Sequence, residues 1–337
     1  MSRPDEIAAP TPAAAAPVGV AASRRLRSFP ETLAIWLVLV ALLVVAGALS
    51  EAFLRPVYLG NIIRQAAPIG IAAVGVTFVM ILGGVDLSIG ATISLGAVLC
   101  AAAMNGDPAN IAPAVALACL AAGAIGALNG ILIAVTGVSP FILTLGTAIT
   151  LYGVTQLVTG GTAHGIIAPG FREVFNVRIG GILPTLGLAF LVVAAAGATV
   201  QHVTTFGRRL YLIGSNPAAA RLAGLPVRRT VILAYTLSGL LGGLGGIALL
   251  ARSGVSGSLA ASGYEFDVLA AVVLGGTTFE GGRGGIGGTV AGVLILFVAF
   301  NLVNVIGLNY HAQLVVKGAV IIVASAIYRR LRDAGSS

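Results

Sequence analysis

Few side chains in this 337-residue sequence are equipped for chemistry. The acids that could lie at membrane depth are few: Asp86, with Glu265 and Asp267 at the edge of an apolar run. Lys317 lies inside the last run, where its stem can snorkel to an interface. Paired ionisable groups at depth are what a proton or sodium relay needs, and this set is too sparse to supply them. His164, His202 and His311 stand in or beside loops, far apart, with no acid or cysteine at catalytic spacing. They read as wet surface or interface histidines, so a membrane-embedded enzyme is poorly supported. Cys100 and Cys119 sit within apolar runs, where a thiol acts as a small hydrophobe; a disulfide between neighbouring helices is the rival reading. No zinc-type spacing occurs. Gly282-Arg283-Gly284-Gly285-Ile286-Gly287 matches G-x-G-x-x-G, but it follows an apolar run and lacks the βαβ context of a dinucleotide site. The chain has no G-x-x-x-x-G-K-[ST] loop to cradle ATP phosphates. Active transport by such a chain would draw its energy from a partner, and an ion-coupled carrier is the alternative.

Two stretches are specified more sharply. Ile213-Gly214-Ser215-Asn216-Pro217-Ala218-Ala219-Ala220-Arg221-Leu222-Ala223-Gly224-Leu225-Pro226 spells a short helix with both ends marked. Asn216 suits the N-cap, Pro217 the first helical position, and Gly224 the left-handed stop, with Pro226 preventing continuation. Isolated helices shorter than about 12 residues are marginal in water, so this one needs a surface to dock on. That surface is either another protein or lipid headgroups held by Arg221 and its neighbours. The second stretch is Gly83-Gly84-Val85-Asp86. Asp86 caps a helix beginning near Leu87, or else it makes a hinge or gate contact that changes during a working cycle.

The elements that must carry these residues follow from composition. Apolar residues make up 58% of the chain and charged ones 9%, against roughly 25% charged in an average soluble domain. A bilayer is the solvent that fits, and unbroken runs of about 20 apolar residues select helices over a barrel. The runs fall at 33–49, 62–82, 87–104, 111–135, 139–158, 182–203, 230–250, 264–280, 285–305 and 311–328. The expected fold is therefore an all-α integral membrane protein of about ten transmembrane helices, with short loops and one short cytoplasmic helix. The net charge of +8 lies in loops, which is the positive-inside pattern and argues against nucleic acid as a partner. Arg208, Arg209, Arg221, Arg228 and Arg229 share the loop after span six, and Arg329, Arg330 and Arg332 close the chain. Both clusters fall on one side if both termini are cytoplasmic. Residues 1–28 read as a disordered cytoplasmic tail, 29–332 as a polytopic transmembrane domain and 333–337 as a C-terminal tail. A cleaved signal peptide ending at Ala46-Gly47-Ala48 is the rival reading of the first run. Small residues recur at Gly126 and Gly130, at Gly284, Gly288 and Gly292, and through Gly239, Gly242, Gly243, Gly245 and Gly246. Such spacing lets helix backbones approach closely, and it would also let helices slide or tilt.

At these motifs the sequence resembles the permease subunits of ribose-type sugar ABC importers. Gly214, Asn216, Ala219, Ala220 and Gly224 reproduce their coupling loop, G-x-N-x-x-A-A-x-x-x-G. Gly83-Gly84-Val85-Asp86-Leu87-Ser88-Ile89-Gly90 matches G-G-[IV]-D-L-S-[IV]-G. Gly263-Tyr264-Glu265-Phe266-Asp267, Gly275-Gly276-Thr277, Gly281-Gly282, Pro140-Phe141-Ile142 and Thr144-Leu145-Gly146-Thr147 also look like that family. The likeness runs over about 55–330 in order; Pro217, Gly242 and Gly245 depart from the family's usual Glu, Ala and Ala. The resemblance implies a subunit of a bacterial inner-membrane importer that binds no cofactor itself. It also implies a cytoplasmic ATPase partner using ATP and Mg, an extracytoplasmic binding protein, and a second permease copy, in contact with membrane lipid. It further implies a pentose, hexose or polyol as cargo, coupling through the 214–224 residues, and a gate or structural role for Gly83, Gly84, Asp86, Ser88, Glu265 and Asp267.

Overall fold

The computed structural model describes residues 28–307, together with Val315, Gly318 and Ala319. Beyond Ser28 the expected N-terminal tail lies outside the described residues, as do the C-terminal tail, Lys317, His311 and, those three positions excepted, the run at 311–328. Twelve helices are described: α1 Ser28–Leu49, α2 Pro56–Ile81, α3 Ile89–Met104, α4 Ile111–Thr136, α5 Pro140–Thr159, α6 Phe171–Asn176, α7 Thr185–Val203, α8 Thr205–Ser215, α9 Pro217–Leu222, α10 Val227–Ser253, α11 Tyr264–Leu274 and α12 Ile286–Val305. The strands among the described residues are a two-residue antiparallel pair, β1 Arg178–Ile179 with β2 Leu183–Pro184.

Among the described residues, seven helices are long and apolar enough to cross a membrane: α1, α2, α4, α5, α7, α10 and α12. Their outward faces carry large apolar side chains such as Leu120 (72% exposed) and Leu157 (85%), which water would not tolerate and hydrocarbon solvates. The chain is a multi-pass membrane protein. α2 forms the centre, with every residue from Ala66 to Ile81 buried, and α7, α10, α11 and α12 pack around it. Over that stretch α2 is surrounded on all sides and carries no charged face; its charged and amide side chains, Asn61, Arg64 and Gln65, lie before it. α3 and α4 join α10 in a second group, α5 lies outside α3, and α1 lies on α12.

The glycines set these spacings. A Cβ at Gly130 would stand 2.8 Å from the Ile232 Cα, and one at Gly243 would stand 2.7 Å from the Ala122 Cβ. α4 and α10 therefore touch backbone to backbone, as small-residue membrane interfaces do. Gly288 and Gly292 likewise face Gly275 and Ala271 at the α11–α12 contact. Gly284 does not share their face: it lies before α12 at φ +105°, crowded by Thr277.

Two expected spans differ from the rest. α3 has 16 residues and α11 only 11, about 24 Å and 16 Å at the helical rise, short of the roughly 30 Å hydrocarbon core. The run at 264–280 stops being helical at Leu274 because Gly275 and Gly276 follow, the latter at φ +85°. Such backbone is tolerated at membrane depth only where protein covers it.

Candidate functional site

α3 and α11 begin inside the bundle, and each begins beside a carboxylate. At α3, Asp86 is 1% exposed. Its Oδ1 accepts from the Ser88 amide (3.1 Å) and the Ser88 hydroxyl (2.6 Å), and its Oδ2 accepts from the Ser238 hydroxyl of α10 (2.7 Å). The Ser88 Oγ also accepts from Asn129 Nδ2 of α4 (3.1 Å), whose Oδ1 accepts from the Thr147 hydroxyl of α5 (2.7 Å). Thr144 Oγ1 accepts from the Leu87 amide (3.1 Å), and the Tyr235 hydroxyl donates to the Val85 carbonyl (3.1 Å). Asp86 does not hold the N-cap position of α3, which falls to Ser88 without a side-chain cap bond. The helix starts at Ile89 rather than near Leu87, and the carboxylate ties its start to α10 directly and to α4 and α5 through Ser88.

The break also lies deeper than a surface loop. Ser238 stands 11 residues into α10 and Thr144 four into α5, about 16 Å and 6 Å along their axes.

At α11 the arrangement repeats. Glu265 Oε1 accepts from the Gly263 amide (3.3 Å), and Tyr152 of α5 donates to Oε2 (3.4 Å). Ser94 of α3 accepts from the Ala261 amide (3.0 Å), and a Cβ at Gly90 would collide with Glu265 Oε2. The two short helices therefore present their N-termini to each other, each with an acid against the positive end of its dipole. Asp267, also in the first turn of α11, is 5% exposed.

The Gly281-Gly282 pair meets the Gly83 turn at the C-terminal end of α2. Gly83 turns the chain at φ +80°. The Gly282 amide donates to the Ile81 carbonyl (2.8 Å), and a Cβ at Gly281 would lie 2.8 Å from Gly83 N and 3.0 Å from the Gly214 carbonyl. A Cβ at Gly214 would strike the Ile81 carbonyl oxygen and lie 2.7 Å from Gly282 N. Three segments far apart in sequence thus cross where Gly214 and Gly281 leave no room for a side chain and Ile81 contributes its backbone.

Gly214 leads straight into α9. Asn216 Oδ1 accepts from the Ala219 amide (2.9 Å), as a cap should. The stop is a Schellman turn: Gly224, at φ +72°, donates to the Arg221 carbonyl (3.0 Å), and Leu225 donates to the Ala220 carbonyl (3.0 Å). The two alanines part company. Ala219 is exposed, but Ala220 is 4% exposed and faces its own chain, so its small size serves the internal seat and not an outward groove. Leu222 instead projects, 90% exposed.

The G-x-G-x-x-G string has another occupation. Its helix-initiating amide, Ile286 N, donates to Gln201 Oε1 (2.9 Å), and the Gly284 carbonyl accepts from Tyr211 (2.7 Å). Gly287 has open space around it. His164 exchanges hydrogen bonds with Ser256 through its backbone, and Cys100 and Cys119 are free thiols. Sequence reasoning passed over Ser238, Asn129, Tyr235 and Tyr152 as site residues. The available signal was a lone polar side chain inside an apolar run, strongest at Asn129.

The family model described as "Branched-chain amino acid transport system / permease component" matches residues 58–325. The ribose import permease protein of Bacillus subtilis is 38% identical over 296 residues, 86% of this chain and 90% of its own length. The ribose import permease protein of Escherichia coli K12 is 38% identical over 294 residues, covering 85% and 90%. The galactose/methyl galactoside import permease protein of Haemophilus influenzae is 36% identical over 313 residues, covering 87% and 93%. No solved structure matches. With a match from before the first glycine break to beyond α12, the chain belongs to this family of transport-system permeases.

Proposed function

We propose that this permease is the membrane subunit of an ATP-driven importer whose cargo is a monosaccharide or related polyol. The cargo reading leans on relatives named for ribose and galactose import, aligned over most of both chains. In this reading α9 receives a cytoplasmic ATPase, an extracytoplasmic protein delivers cargo, and a second copy completes the path. The observation that carries it is the glycine crossing. A capped six-residue helix, too short to stand alone, is seated through Gly214 against the carbonyl of Ile81, the last residue of α2 and five before Asp86. Movement imposed on α9 would reach the two half-helix starts without passing through flexible chain.

The test compares the chain reconstituted alone with the chain plus its ATPase and delivery protein. Radiolabelled ribose or galactose should accumulate only in the full assembly with ATP. Uptake by the chain alone on a proton or sodium gradient overturns the energy source, and uptake of leucine instead of sugar overturns the cargo. Within the assembly, Ala219→Trp should lower ATPase recovery and uptake, since overpacking a docking face costs about 1–3 kcal/mol. Normal recovery and uptake would remove α9 from the coupling role.

The reading includes ten spans with both termini cytoplasmic, from the arginines gathered at the α8–α10 end. Single cysteines at Ser215 and Ser253, which lie at opposite ends of the bundle and are both exposed, probe this once Cys100 and Cys119 are replaced. An impermeant maleimide should label only the Ser253 position in intact cells. Labelling at the Ser215 position would invert the topology.

A further inference from the structure

A cleft of about 620 Å³ opens where the end of α4 meets the α9–α10 turn. Arg221, Arg228 and Arg229 line it, and no acid does. Ile133, Leu225 and Val231 make it apolar as well. The cleft belongs to neither the half-helix starts nor the glycine crossing.

Three facts bear on what such a cleft takes. Guanidinium groups match phosphate oxygens in bidentate fashion, and three without a carboxylate among the lining residues call for an anion. The volume falls within the range of small-molecule sites. On α4, Leu128 (55% exposed), Ile131 (44%) and Val135 (65%) form an outward stripe at helical spacing that runs up to the same helix end. Leu233 (51%) on α10 adds to the apolar surface beside it. A soluble anion would use only the arginines. An acidic protein surface would use the arginines but not the adjoining stripe, which faces hydrocarbon as the outward faces of the other spans do. A molecule with a phosphate head and an acyl tail uses both, and Arg228 and Arg229, in the first turn of a membrane-crossing helix, stand where headgroups lie.

We infer that this cleft binds the headgroup of an anionic phospholipid from the leaflet on the α9 side, with its acyl chain along the outward stripe of α4. The site requires only that the chain span a bilayer, so it stands or falls apart from the cargo and the ATPase.

The full chain is purified into nanodiscs of phosphatidylcholine containing phosphatidylglycerol, then extracted, and the retained lipid is read by native mass spectrometry. Phosphatidylglycerol should be retained over phosphatidylcholine. Each of Arg221→Gln, Arg228→Gln and Arg229→Gln should weaken retention about fivefold, the worth of one arginine near an anionic surface. Arg208→Gln, an exposed arginine of the same end outside the cleft, should not, and unchanged melting temperatures would show that the variants fold. Equal losses in Arg208→Gln would reduce the effect to general charge and overturn the site. Displacement of the lipid by millimolar inorganic phosphate would make it a free-phosphate site and overturn the lipid assignment. Unchanged lipid retention with lost ATPase recovery in the three cleft variants would assign the arginines to a protein partner instead.

Discussion

Asp86→Leu is expected to collapse the amount of folded chain in the membrane, whereas Asp86→Asn assembles normally and keeps most of its transport. The carboxylate is the acceptor for the Ser88 amide, the Ser88 hydroxyl and the Ser238 hydroxyl, all buried. Leucine strands those donors at a cost of about 1–3 kcal/mol for each that finds no other acceptor, in a place that water does not reach. It also releases the link between α3 and α10. Asparagine offers one carbonyl oxygen to Ser88 and an amide that donates to Ser238, whose hydroxyl can turn to accept. Membrane levels by immunoblot, melting temperature of the purified chain and uptake by the full assembly separate the cases. Asn variants that assemble but do not transport would mean that the charge itself acts as a gate. A Leu variant at wild-type level would mean the network is not holding the break together.

Alanine at Gly214 is expected to cut uptake at least about tenfold, because a close backbone crossing has no room for a methyl group and overpacking typically costs 1–3 kcal/mol. The added Cβ would strike the Ile81 carbonyl and stand 2.7 Å from Gly282 N, the two groups whose hydrogen bond closes the crossing. Insertion should survive, since the seven long apolar helices are untouched. The ATPase should still be recovered with the chain, because α9 keeps its own cap and stop. The loss would then fall on transmission: ATP hydrolysis in the assembly continues while uptake fails. Gly287→Ala is the matched control, with open space at its Cβ, and should transport normally. Wild-type uptake by the Gly214 variant would show that α9 does not act through this crossing.

A tension in the comparisons is physical as well as nominal. The family description names branched-chain amino acids, while the aligned relatives are named for sugars. In this chain the motifs build a framework: two half-helix starts with their acids, and a backbone crossing under α9. None of these groups distinguishes a polyol from an amino acid, so cargo choice has to lie elsewhere.

The sequence alone determined the solvent and the local shapes. Apolar runs of hydrocarbon-spanning length admit only helices, and a cap at Asn216 with a glycine at 224 specifies α9 whatever surrounds it. Those are contributions of neighbouring residues, and neighbours are what a sequence displays. The resemblance supplied the motifs as separate strings but not their relation. Only the tertiary structure brought Asp86 to Ser238, 152 residues away, and Tyr152 to Glu265, 113 away. Only it divided Ala219 from Ala220, one outward and one inward, because a six-residue helix has no periodicity long enough to reveal its face. The run at 264–280 was apolar enough to look like a span, yet burial by other helices demands the same apolar character as lipid does. Hydropathy reports what a segment avoids, water, and leaves open whether protein or hydrocarbon replaces it.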